Sequence, residues 1–75
     1  MKSREVIRRI ESLGGEFVRQ VGSHRRYKAT VTNPDSTTGT AFTTVAHHPG
    51  KDIATGTLHS IQKDLEPAFG KGWLL

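Results

Sequence analysis

Between Arg26 and Val31 the chain alternates strictly: Tyr27, Ala29 and Val31 are apolar or aromatic, and Arg26, Lys28 and Thr30 are polar. Successive side chains on an extended strand point to opposite faces, so this run predicts a strand with one face on a core and one face wet and basic. Such a strand belongs to a sheet covered on one side, and the covering layer has to come from the same short chain. Its 75 residues suffice for one domain, 1–75, with a small core. There is no cysteine, so neither disulfides nor thiolate metal sites reinforce that core.

The covering layer is legible on both sides of the sheet segment. Val6, Ile7, Ile10 and Leu13 recur at the three-to-four spacing of a helix with one buried face, capped by Ser3 and closed by Gly14-Gly15. Leu58, Ile61 and Leu65 predict a second helix, capped by Thr55 and ended or bent by Pro67. Between them, Glu16 to Val21 reads as a first strand, Gly22-Ser23 as its hairpin turn, Asn33 to Thr40 as a loop, and Ala41 to His47 as a third strand. The tail holds Phe69, Trp73, Leu74 and Leu75 and is too apolar for a free end, so it is expected to fold back on the domain or onto a partner. The order α-β-β-β-α defines an α+β fold: a three-stranded antiparallel sheet with two helices on one face. Arg26 and Lys28 then project from the open face.

Eleven Lys and Arg against seven Asp and Glu give a net charge of +4, which favours an anionic partner, most simply nucleic acid. No apolar segment follows Met1-Lys2, and no run approaches the roughly 18 apolar residues of a membrane span, so a cytoplasmic protein without membrane contact is expected.

His24 stands at the entry to the basic strand, with Arg25 and Arg26 directly after it. The bland reading is a surface turn histidine. The functional one is a proton acceptor among cations, because imidazole can take up or release a proton near neutrality. RNA carries its own nucleophile, the 2′-hydroxyl, so its cleavage requires a base, an in-line geometry and positive charge around the phosphate. That scheme needs no metal and no cofactor. His47-His48 invites a zinc reading, but adjacent strand residues face opposite ways and no thiolate is at hand, so no metal site is expected there. One of the pair is expected to order the sheet end, and the other to serve as a second acid or a phosphate contact. His59 reads as a solvated helix residue. At the start of the second helix, the free N–H groups of the Thr55 to Leu58 turn can seat a phosphate; the plain alternative is an ordinary helix cap.

Two motifs carry a family resemblance: Gly22 to Tyr27, "GSHRRY", and His47 to Ile61, "HHPGKDIATGTLHSI", with the helix ending in "LGG" before the first. The chain resembles HicA-type toxins, the small bacterial mRNA interferases of the YcfA/HicA-like family, over nearly its whole length. The resemblance implies a fold like that of double-stranded-RNA-binding domains. It also implies an endoribonuclease whose histidine in the Gly-Ser-His motif, here His24, is catalytic, and a HicB-type antitoxin as partner. The long Asn33 to Thr40 loop and the "FGKGWLL" tail depart from the family pattern.

The RNA contacts expected are Ser23, Arg25, Arg26, Lys28, His47, Lys51, Gly56 and Thr57, with mRNA or another RNA as substrate. The competing reading is a non-catalytic double-stranded-RNA-binding module of the same topology. That module has no use for an imidazole at His24 and needs basic residues along the second helix, where only Lys63 stands.

Overall fold

The computed structural model describes residues 1–75 and has the order α1 (Ser3–Ser12), β1 (Glu16–Val21), β2 (His24–Thr32), β3 (Thr38–Ala46) and α2 (Thr55–Phe69). The three strands form an antiparallel meander in the order β1-β2-β3. Both helices lie on the face that Tyr27, Ala29 and Val45 present, as the alternation in β2 predicts. These residues join Val6, Ile7 and Ile10 of α1 and Leu58, Ile61 and Leu65 of α2 in one core. Leu13 falls outside it: at the C-cap of α1 the helical stripe has already turned away from the sheet, and its side chain is exposed.

Several boundaries differ from the sequence reading. Ser3 does not cap α1. The N-cap is Lys2, whose N–H is bonded by Glu5 Oε1 at 2.9 Å, while Ser3 is the first helical residue and is buried. Thr55 likewise opens α2 rather than capping it; Ala54 holds the cap position and offers no side-chain acceptor. Pro67 does not end α2, which runs two residues beyond it to Phe69; Gly70, at φ 90°, closes the helix instead. The loop between β2 and β3 is shorter than composition suggests. Thr38, Gly39 and Thr40 pair with Thr32, Val31 and Thr30, so β-branched threonines extend the hairpin and leave only Asn33 to Thr37 as its turn.

The C-terminal tail does fold back. Trp73 is buried, donates its indole N–H to the carbonyl of Gln62 at 2.7 Å and meets the ring of Phe69 edge-on, with 5.2 Å between centroids. Gln62 Oε1 accepts the N–H groups of Leu74 and Leu75, and Arg9 Nε donates to the carbonyl of Trp73. The tail thereby links α2 to α1.

Candidate nucleic-acid interface and histidine pair

Strands β1 and β2 are joined by two residues only, since Val21 pairs directly with His24. Gly22 takes φ 58° and Ser23 does not enter positive φ. Glycine at the first central position is the requirement of a type II′ turn, whose twist matches that of the strands it joins. The turn sets His24 as the first residue of β2, between Val21 on one side and Ala46 on the other. His24 is exposed. Its imidazole enters no hydrogen bond or ion pair, so both ring nitrogens are open to solvent.

Arg26 and Lys28 share the open face with His24 by the parity of β2. The guanidinium carbon of Arg26 lies 4.6 Å from the centre of the Phe42 ring, and its Nη1 is 3.4 Å from Thr44 Oγ1. Lys28 Nζ is 3.9 Å from Glu16, an exposed pair that holds the charge only loosely. A third cation joins them. A β-bulge between Phe17 and Arg19 sets Arg19 opposite Arg26; without it Val18 would occupy that place. No sequence signal marks this bulge, so Arg19 was not among the expected contacts.

Arg25 and His47 lie on the other side of the sheet. Arg25 and Arg26 are both among the expected RNA contacts, but β2 turns them to opposite faces. Arg25 points toward α1, its guanidinium carbon 4.9 Å from the ring centre of Phe17 and 5.7 Å from that of Tyr27. The backbone N–H of His47 donates to the carbonyl of Ser23 at 2.7 Å, and its Nδ1 lies 2.9 Å from the hydroxyl of Ser3. Arg4, Arg8 and Glu11 of α1 complete, with Ile7, Arg25 and His47, a crevice of about 280 Å³. Beneath it the Tyr27 side chain is fully buried; burial pushes its phenol above the ordinary value, Arg25 opposes that rise and Glu11 adds to it.

The remaining candidates gather at the start of α2. His48, Lys51 and Thr57 line a hollow of about 190 Å³ with Asp52 among its walls. Thr55, Gly56 and Thr57 are exposed, and with no side chain capping the helix their N–H groups face solvent. His59 is exposed on α2.

A family model described as the HicA toxin of bacterial toxin-antitoxin systems matches residues 3–66. The chain belongs to the HicA toxin family. No curated protein and no solved structure matches it significantly. The family match takes in α1, all three strands and most of α2, and it ends before the tail that Trp73 anchors. As a HicA toxin, the chain is one half of a toxin-antitoxin system, the other half being a HicB antitoxin. No helix of this HicA chain is long and apolar enough to cross a membrane.

The expected contacts of this HicA toxin thus fall into three groups. Ser23, His24, Arg26 and Lys28 occupy the hairpin and the open face; Arg25 and His47 face α1; Lys51, Gly56 and Thr57 surround the start of α2. Arg4 and Arg8 were missed, although their spacing of four on a helix was a readable sign that they share one side.

Proposed function

We propose that this toxin is a ribonuclease that cuts RNA with His24 as general base. The observation that carries the reading is the exposed, unengaged imidazole of His24 at the mouth of the hairpin, on the same face as Arg19, Arg26 and Lys28. An RNA strand laid over that face meets positive charge along its backbone and a free imidazole at one end. His24 accepts the 2′-hydroxyl proton, the oxygen attacks the adjacent phosphorus, and the 5′-oxygen leaves with a proton from solvent or from a neighbouring acid. The products are a 2′,3′-cyclic phosphate and a free 5′-hydroxyl. The cations stabilise the extra negative charge on the phosphorus oxygens in the transition state. Phe42, exposed on the same face beneath Arg26, offers a base a ring to stack on.

Single-stranded RNA carrying a 2′-methoxy group at the cut site tests the reaction directly. The intact protein should cut the unmodified strand and leave the modified one whole, because the nucleophile has been removed. Cleavage of both strands at one rate would overturn the mechanism.

The HicB antitoxin is proposed to cover the open face and exclude RNA from it. Acidic groups on the inhibitor would match the arginines and Lys28. A saturated toxin-antitoxin complex that still cut RNA at the free rate would rule this out.

A further inference from the structure

The crevice between α1 and β2 plays no part in the chemistry at His24, yet it is built in an unusual way. Arg4 and Arg8 lie four residues apart on α1, so their like charges face one another along one side of the helix, an arrangement that is mildly destabilising by itself. Neither makes a hydrogen bond or an ion pair. Arg25 closes the opposite wall, its guanidinium carbon 4.9 Å from the ring centre of Phe17 and 5.7 Å from that of Tyr27, and its side chain makes no hydrogen bond or ion pair within the protein. Glu11 is the single carboxylate among the crevice residues. Two buried polar atoms here have no partner: Nε of Arg25 and the hydroxyl of Tyr27. Both are sealed from solvent, so the groups that face the crevice itself are the guanidinium ends of Arg4, Arg8 and Arg25 and the ring of His47. At the crevice end, Ser3 fixes the His47 ring through Nδ1, and Nε2 makes no bond within the protein.

We propose that this crevice is a second phosphate-binding site, in which Arg4, Arg8, Arg25 and His47 hold a phosphate group of the RNA beyond the end of the sheet. A carboxylate is planar and is satisfied by one guanidinium fork. Three forks and an imidazole converging from a helix, a strand and a strand end suit a tetrahedral oxyanion with acceptors in several directions. The position is also apt. Arg25 is next to His24 in sequence, and His47 is bonded through its backbone to Ser23, so a strand leaving His24 around the sheet end passes directly into the crevice. The source of the phosphate, a backbone diester rather than a terminal or free phosphate, rests on RNA being the substrate. The site itself rests on the crevice alone.

The test is a nuclear magnetic resonance titration of the histidine ring signals. Inorganic phosphate comes first, then a 2′-methoxy RNA oligonucleotide with hydroxyl ends, then the same oligonucleotide with a terminal phosphate, and finally a glutamate-rich peptide. Phosphate and the hydroxyl-ended strand should both move the His47 signals. Arg4→Gln with Arg8→Gln should abolish those shifts, leave the His24 signals responsive to the strand, and flatten the dependence of log affinity on log salt by about 0.7 for each backbone phosphate no longer held. A His47 ring that ignores phosphate and both strands, or that answers only to the peptide, would overturn the proposal, as would an unchanged salt slope. A response to the phosphate-ended strand alone would overturn the backbone assignment and make the site one for strand ends. If the protein cut no RNA yet phosphate moved His47, the site would stand and the ribonuclease reading would fall; cleavage with an unresponsive His47 would give the reverse.

Discussion

The hydroxyl of Ser3, in the first turn of α1, lies 2.9 Å from Nδ1 of His47, 44 residues further along the chain. Ser3 is buried, and the backbone N–H of His47 in turn donates to the carbonyl of Ser23 beside His24. The start of the first helix is thus tied to the end of β3 and, through it, to the hairpin that carries the candidate base. Ser3→Ala removes one bond from a buried site and should cost about 1 kcal/mol. For a domain of this size that is a fall of about 4–8 °C in Tm, readable by calorimetry. An unchanged Tm would mean that the Ser3–His47 bond contributes nothing.

The chain has one tyrosine, so its ionisation can be followed by ultraviolet titration without ambiguity. Burial raises the Tyr27 phenol above its ordinary value of 10.0. The folded protein therefore keeps this proton where the unfolded chain has lost it. Stability from Tyr27 is fully present below pH 10.0 and is lost as pH rises through the folded value. The titration midpoint of the native protein should lie above that of the protein in urea. Glu11→Gln should lower it and Arg25→Gln should raise it, matching the directions in which the two charges act. A native midpoint at or below 10.0 would contradict the buried placement of this ring.

Gly22 occupies φ 58°, a region that disfavours any residue with a β-carbon. Nothing lies within 4 Å of where that carbon would stand, so the penalty of Gly22→Ala is conformational rather than steric. It should amount to about 1 kcal/mol in chemical denaturation, with the turn and hence His24 held less firmly. Equal stability would show that the turn has another conformation in solution.

Trp73 closes the core from outside the family match, and its truncation tests whether the tail belongs to the fold. Trp73→Ala should cost about 3–5 kcal/mol, enough to leave so small a domain largely unfolded on warming. Trp73→Phe keeps an aromatic ring against Phe69 but loses the indole bond to Gln62 and part of the packing volume, at about 1–3 kcal/mol, less than the alanine variant. Two variants of equal stability would show that the ring is not buried.

How far the sequence could be read depended on whether a signal was periodic. The alternation through Tyr27, Ala29 and Val31 and the helical stripe of Val6, Ile7 and Ile10 are repeated patterns, and they gave the order of elements and the wet face correctly. Ser3 shows the limit. Serine before an apolar stripe looks like a cap, but here the hydroxyl serves His47, a partner that only the folded chain brings near. Arg19 reached the open face through a single-residue bulge, which leaves no trace in local composition. Thr38 and Thr40 looked like loop because they stand among turn residues, yet pairing with Thr32 and Thr30 makes them strand. The opposite facing of Arg25 and Arg26 was already contained in the alternation, although both were named as contacts of the same RNA.

The central claim concerns His24, and the rate of RNA cleavage by purified His24→Ala protein tests it most directly. The residue is exposed and its ring bonds to nothing, so the substitution should change stability by no more than about 0.5 kcal/mol. Binding to a 2′-methoxy strand should persist, because Arg19, Arg26 and Lys28 supply the attraction to phosphate. Cleavage should fall by about 10² to 10⁴, the usual contribution of a positioned base, and expression of the variant should no longer arrest growth. A folded His24→Ala protein that bound RNA and cut it at the wild-type rate would contradict the assignment.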